Sequence, residues 1–131
     1  MPEIVREAIP LRLWDRTKLY TLELPLREIP LEDIHWMLDV PLWAVDGVPF
    51  QVTPNQVLAH PARYPEQYRR VLAADLSFPI HIFWHNERWT ILDGVHRLLK
   101  AVMEGRVRIT AMVLSADDYQ SILVPVNEAN D

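Results

Sequence analysis

The pattern of hydrophobic and polar residues changes from one typical of a strand to one typical of a helix within residues 89–105. Trp89 to Leu92 form an apolar run typical of a strand, and Asp93-Gly94 interrupts that run. Apolar residues then follow at the i, i+3, i+4, i+7 spacing of an amphipathic helix: Val95, Leu98, Leu99 and Val102. The pattern predicts a helix whose first N–H groups are capped by the Asp93 side chain and which ends at Gly105.

The remaining elements are predicted from the spacing of hydrophobic residues and from residues that favour turns and helix caps. They are an edge strand over residues 18–29, a hairpin within residues 35–52 around Asp46-Gly47, a helix from Thr53 to near Pro61, a helix from Pro65 to about Asp75, two short strands over 79–84 and 89–92, a strand over 107–113 and a helical turn capped within 115–118. The helix from Pro65 is predicted to present one apolar face, formed by Tyr64, Tyr68, Val71 and Leu72.

These elements predict one α+β domain over residues 1–131, a small mixed sheet with short helices packed on it. A chain of 131 residues, half of them hydrophobic, is long enough for one core and short for two. Residues 1–17 are expected to form an N-terminal arm and residues 125–131 a frayed tail.

The composition of the chain excludes some classes of function and disfavours others. The net charge of −5, from 18 acidic and 13 basic residues, makes strong general binding to DNA unlikely. The chain has no cysteine, which excludes disulfides, thiolate zinc sites and a cysteine nucleophile. No apolar run approaches the roughly 20 residues of a membrane span, and the first residues do not form a signal peptide. We therefore expect a cytoplasmic chain without a membrane partner.

The start of the helix after Gly94 is the candidate binding site. Free N–H groups in a first helical turn carry a partial positive charge, and His96 and Arg97 stand beside them, so a phosphate would fit there. A purely structural interpretation is also open, in which Asp93 caps the helix and Arg97 lies on a solvated face. The Asp93 carboxylate would compete with a phosphate unless magnesium bridges them or the carboxylate faces a hydroxyl.

Three segments, in their order along the chain, resemble the ParB N-terminal and sulfiredoxin superfamily. They are Ile29-Pro30-Leu31-Glu32-Asp33-Ile34, Phe78-Pro79-Ile80-His81-Ile82-Phe83, and Trp89 to Gly105 with the strand that follows. The resemblance covers about residues 20–118. Its most specific part is the box Asp93-Gly94-Val95-His96-Arg97, in which Asp93, Gly94, His96 and Arg97 match the superfamily pattern.

The resemblance implies that this box holds nucleotide phosphates, because ParB proteins bind CTP, sulfiredoxins use ATP and a free-serine kinase of the superfamily uses ADP. It implies a stand-alone domain that binds a nucleotide, or another phosphorylated small molecule, with magnesium. Phosphate would contact Gly94, Val95, His96 and Arg97, with His96 as a second donor beside Arg97. If the domain is a phosphotransferase or nucleoside triphosphatase, Asp93 and His96 are the candidate catalytic residues, and one of Glu32, Asp33 and Asp39 would complete the site.

The chain also departs from the superfamily. Sulfiredoxin chemistry needs a cysteine in the box, where this chain has Val95, so that activity is excluded. No helix-turn-helix segment follows the domain, so a chromosome-partitioning clamp is not expected.

Three other hypotheses remain from the sequence. A non-catalytic module could bind a protein partner through Trp14, Trp36 and Trp43. A ParB-like nuclease or DNA-associated protein is disfavoured by the acidic charge. His81 and His85, with Glu87 nearby, could face one metal ion, but two histidines in a hairpin are usually structural, and no metal site is predicted.

Overall fold

The computed structural model describes residues 3–10 and 12–125. Its helices are α1 (Glu3–Ala8), α2 (Arg16–Thr21), α3 (Pro54–Ala59), α4 (Pro65–Ala73), α5 (Val95–Met103) and α6 (Ala116–Ile122). Its strands are β1 (Leu26–Pro30), β2 (Trp43–Val45), β3 (Val48–Val52), β4 (Ile80–His85), β5 (Arg88–Asp93) and β6 (Arg108–Leu114). Two 3-10 helices, Leu31–Asp33 and His35–Asp39, connect β1 to β2.

The main sheet has four strands in the order β1-β6-β4-β5, and β2 and β3 form a separate hairpin. β6 runs antiparallel to β1 and parallel to β4, while β4 and β5 are antiparallel. The sheet is therefore mixed, and the predicted α+β class with short helices on the sheet is confirmed. β1 lies at the edge of the sheet, as Pro25 just before it suggested.

Both faces of the sheet are covered. Ile82 belongs to the larger core cluster together with Leu98 of α5, whereas Phe83 packs in a second cluster with Leu19 of α2 and Ile122 of α6. Successive residues of a strand point to opposite faces, so α5 and the pair α2 and α6 lie on opposite sides of β4. The end of β5 is thus close to helices from both layers.

Several local predictions are confirmed by their hydrogen bonds. Asp46 and Gly47 both have positive φ and form the tight turn between β2 and β3, as a two-residue hairpin loop requires. Thr53 and Ser115 each make a reciprocal capping box. α5 ends as predicted, because the Gly105 N–H donates to Val102 and the Arg106 N–H donates to Ala101 in a Schellman motif; Gly105 itself has φ +71°.

Other predictions were wrong. The strand predicted over residues 18–29 is helix α2 up to Thr21, because the Asp15 side chain caps the N–H of Lys18, and β1 begins only at Leu26. The expected arm contains α1 and the start of α2, and Val5 is fully buried, so it is part of the packed body. Leu72 is 50% exposed and does not belong to the buried face of α4.

Part of the predicted tail, residues 126–131, lies outside the described residues. None of the helices described above is both long and apolar enough to cross a bilayer.

Candidate functional site

The junction of β5 and α5 differs from the predicted cap. Asp93 is the last residue of β5, and the N-cap position falls one residue later, on Gly94, which makes no side-chain cap. Gly94 has φ +120°, and a Cβ built there would lie 2.5 Å from Cγ2 of Ile80. The N–H groups of Val95, His96 and Arg97 have no acceptor among the described residues. The first turn of α5 is therefore open to a ligand.

The Asp93 carboxylate turns toward side chains instead of the helix amides. Its Oδ2 accepts hydrogen bonds from Nη2 of Arg97 at 3.0 Å and from the Tyr20 hydroxyl at 3.0 Å. Nδ1 of His81 lies 3.9 Å from the same oxygen, too far for a hydrogen bond. Asp93 thus connects α2, β4 and α5 at one point.

Arg97 forms an ion pair with Asp93 and is not a solvated side chain. It is 18% exposed, and Nη1 donates to the carbonyl oxygens of Phe78 and Pro79 while Nη2 donates to Asp93. These partners use most of the donors that Arg97 would need to bind a phosphate. The structure therefore gives this residue a positioning task at the end of β5.

His96 is held between two side chains from other elements. Its ring stacks on Trp43 of β2 with centroids 4.2 Å apart and an interplanar angle of 8°. Its Nε2 lies 2.8 Å from Oε1 of Gln67, and Nε2 of Gln67 donates to the Ala44 carbonyl. Because that bond fixes the Gln67 oxygen as the acceptor, Nε2 of His96 carries the proton and Nδ1 is the free acceptor.

Burial lowers the pKa of His96 to about 4, and the positive charge of Arg70 contributes in the same direction. A neutral ring at physiological pH follows. His96 therefore presents an acceptor to a ligand, not the second phosphate donor that the sequence suggested.

Besides a cleft of about 320 Å³ that is lined by Arg70, Ala73, Ala74, Asp93, Gly94, His96 and Arg97, two clefts meet at the β5–α5 junction. The first, here called the Arg70 cleft, has a volume of about 320 Å³ and is lined by Arg16, Arg70, Gly94, Val95 and His96, by Asp93 and by apolar residues that include Trp14 and Trp43. The second, the Tyr20 cleft, has a volume of about 450 Å³ and is lined by Tyr20, Leu22, Phe78, Pro79, His81 and Met112, with Asp93, Arg97 and Asp75. Asp93 lines both.

The Arg70 cleft is electropositive on one side. Arg16 comes from α2 and Arg70 from α4, and neither has a carboxylate partner within 4.0 Å in the described part of the chain. Both arginines line the same space as Val95 and His96 in the first turn of α5. This combination of two cations and a helix N-terminus favours an anion.

The acidic residues proposed to complete the site do not reach it. Glu32, Asp33 and Asp39 are exposed and line neither cleft. Oδ1 of Asp39 accepts a hydrogen bond from Asn55 at 2.7 Å and so fastens the second 3-10 helix to α3.

The tryptophans that were candidates for a partner-binding surface largely pack within the domain. Trp43 is 6% exposed under His96, and Nε1 of Trp36 donates to the Trp89 carbonyl. Trp84, with 58% exposure, is the more open indole, and the sequence pattern did not single it out.

Within residues 3–10 and 12–125, no three His, Asp or Glu side chains cluster in a way that could hold a metal ion. His81 lies beside Asp93, whereas His85 stacks on Phe83 farther along β4. Comparison with protein-family models and with curated protein sequences gave no match.

Proposed function

We propose that this chain binds a phosphorylated small molecule, in the first instance a nucleotide, in the Arg70 cleft. The observation that carries the proposal is the convergence of Arg16, Arg70 and the uncapped first turn of α5 on one space. A helix N-terminus supplies amide donors and partial positive charge, and two arginines supply charge-assisted hydrogen bonds to phosphate oxygens.

The resemblance to the ParB and sulfiredoxin superfamily supports the same ligand class, because it rests on the Asp93 to Arg97 box at this helix start. The assignment of individual residues differs from the sequence expectation. Arg70 and Arg16 take the place of Arg97 as the arginine ligands, while Gly94 lines the cleft and Val95 and His96 contribute backbone amides. A cytoplasmic location, where nucleotides are abundant, fits this proposal.

A nucleotide brings magnesium with it, and among the described residues that line the cleft Asp93 is the one carboxylate that could share such an ion. Because Oδ2 of Asp93 already accepts two hydrogen bonds, Oδ1 is the oxygen that would hold the ion, and phosphate oxygens and water would supply the other ligands. If the bound nucleotide turns over, Asp93 and Nδ1 of His96 are the groups placed to accept a proton, and the reaction would be phosphotransfer or hydrolysis.

Arg70→Gln is expected to weaken binding of ATP, ADP, CTP or GTP with magnesium by roughly 10-fold or more, because it removes a charge-assisted contact. Isothermal titration calorimetry on the wild type first identifies the preferred nucleotide. The same titration on the variant then gives the ratio of dissociation constants.

Arg69→Gln is the matched control. Arg69 is the preceding residue of α4, is exposed and does not line the cleft. Its substitution by glutamine makes the same change in net charge as Arg70→Gln. Its dissociation constant should stay within about twofold of the wild type, since surface charges act weakly at a distance. No binding of any of the four nucleotides at millimolar concentration, or equal effects of the two substitutions, would reject the proposal.

A further inference from the structure

The Tyr20 cleft contains a buried polar atom that the proposed phosphate site does not use. His81 lies on β4 with 7% of its surface exposed, and its Nδ1 is buried without a hydrogen-bond partner among the described residues. An unpaired buried nitrogen destabilises a fold, and native proteins rarely keep one without a reason. A phenylalanine would fill the same space without this cost, so the nitrogen points to a ligand contact.

The position of Nδ1 relative to Asp93 defines what that ligand must offer. The two atoms are 3.9 Å apart, so they do not bond directly; because Nδ1 is shielded from solvent, a small turn of the His81 ring would let one oxygen at about 2.8 Å from each atom bridge them. A hydroxyl both donates and accepts: its oxygen would accept from Nδ1–H of His81 in the Nδ1-protonated tautomer, while its single proton is donated to the carboxylate.

The apolar residues that line the cleft indicate that its ligand has an apolar part. Leu22, Pro79 and Met112 line it, and the rings of Tyr20 and Phe78 remain 56% and 64% exposed at its mouth. An apolar body bound there would cover these exposed rings, which bridging water alone would not do.

The charged side chains that line this cleft differ from those of the Arg70 cleft. Arg97 pairs with Asp93, and Asp75 adds a second carboxylate at the rim, so the lining has no unpaired cation. The cleft therefore does not favour an anion, in contrast to the cationic wall of the Arg70 cleft. The Tyr20 hydroxyl on Asp93 already shows that this carboxylate accepts an aromatic hydroxyl.

We propose that the Tyr20 cleft binds a small neutral molecule with an apolar body and a hydroxyl group, which bridges Nδ1 of His81 and the carboxylate of Asp93. The site shares Asp93 with the Arg70 cleft but uses neither Arg16 nor Arg70, and the proposal does not rest on nucleotide binding. The ligand class is an alcohol or a phenol.

Phenol and anisole test this proposal, because anisole keeps the ring and the oxygen of phenol but cannot donate a hydrogen bond. Each is titrated into the full chain while NMR follows the His81 ring nitrogens and the Met112 methyl group. Phenol is expected to bind at least about fivefold more tightly than anisole, the effect of one hydrogen bond. His81→Phe should weaken the binding of phenol by roughly threefold or more, because phenylalanine cannot donate to the hydroxyl oxygen.

His85→Phe is the control, since His85 lies on the same strand outside the cleft, and it should keep the wild-type affinity for phenol. Arg70→Gln should also keep it, which separates this result from a failure of the nucleotide proposal. Equal binding of phenol and anisole by the wild type would overturn the proposal without the need for any variant. An unchanged affinity for phenol in His81→Phe, or no saturable shift at His81 and Met112 in the wild type, would overturn it as well.

Discussion

Gly94→Ala is expected to lower the free energy of unfolding by about 3 kcal/mol or more, from two costs that act together. The first is conformational, because Gly94 has φ +120°, a region that residues with a Cβ rarely adopt. The second is steric, because the new methyl group would lie 2.5 Å from Cγ2 and 2.9 Å from Cβ of Ile80, which is fully buried in β4. Urea denaturation at pH 7 measures the loss.

Gly105→Ala separates these two costs. Gly105 also has positive φ, +71°, but a Cβ there would meet no atom within 4 Å. We expect a loss of about 1 kcal/mol for this variant, from the backbone alone. If Gly94→Ala destabilised the chain no more than Gly105→Ala, the close packing of Gly94 on Ile80 would not matter for stability.

Gly94 also explains why the sequence predicted the position of the site but not its chemistry. The change from strand period to helical period between Trp89 and Gly105 fixed the junction, because each element there has a local signal. Aspartate is a preferred N-cap, so the same local signals favoured Asp93 as the cap. The close contact with Ile80, which is distant in sequence, shifts the N-cap to Gly94 and frees the carboxylate for Arg97.

The remaining site residues come from elements that pack there through long-range contacts. Arg16 and Arg70 lie on two helices that are far apart in the chain, and nothing local marks either as a ligand residue. One signal was available in α4. Gln67 completes the i, i+3, i+4, i+7 pattern of Tyr64, Tyr68 and Val71, and a polar residue at such a core position needs a buried partner, here His96.

The error in residues 18–29 has a similar origin. Tyr20, Leu22, Leu24 and Leu26 alternate as in a strand, but such a short window also fits a helical turn followed by extended chain. The Asp15 cap and the burial of Leu19 against α6 stabilise the helix. This error hid Tyr20 as a neighbour of Asp93, because a strand at the sheet edge would have placed its side chain elsewhere.

The environment of His96 predicts a fold that loses stability in mild acid. The pKa of His96 in the folded state is about 4, below its ordinary value of 6.5, chiefly because the ring is buried. As the pH falls from 6.5 to 4, the unfolded chain takes up a proton that the folded chain does not, so the free energy of unfolding falls. The full shift corresponds to about 3 kcal/mol, which partial solvent screening of the ring reduces to about 2 kcal/mol.

His96→Phe tests this expectation, because phenylalanine keeps the stacking on Trp43 but cannot titrate. The variant leaves Oε1 of Gln67 without its partner and should be less stable at every pH, so the informative quantity is the slope of unfolding free energy against pH. Urea denaturation between pH 6.5 and 4.5 should give a smaller slope for the variant than for the wild type. Burial also lowers the pKa of His81 and His85, so part of the slope should remain.

His60→Gln is the control for the loss of a histidine as such, since His60 is exposed at the end of α3. Its slope should match that of the wild type. A wild-type slope in His96→Phe would mean that the ring takes up its proton in the folded state as readily as in the unfolded state. Nε2 would still donate to Gln67, but Nδ1 would then carry a proton near neutral pH and would face the Arg70 cleft as a phosphate donor, as the sequence first suggested.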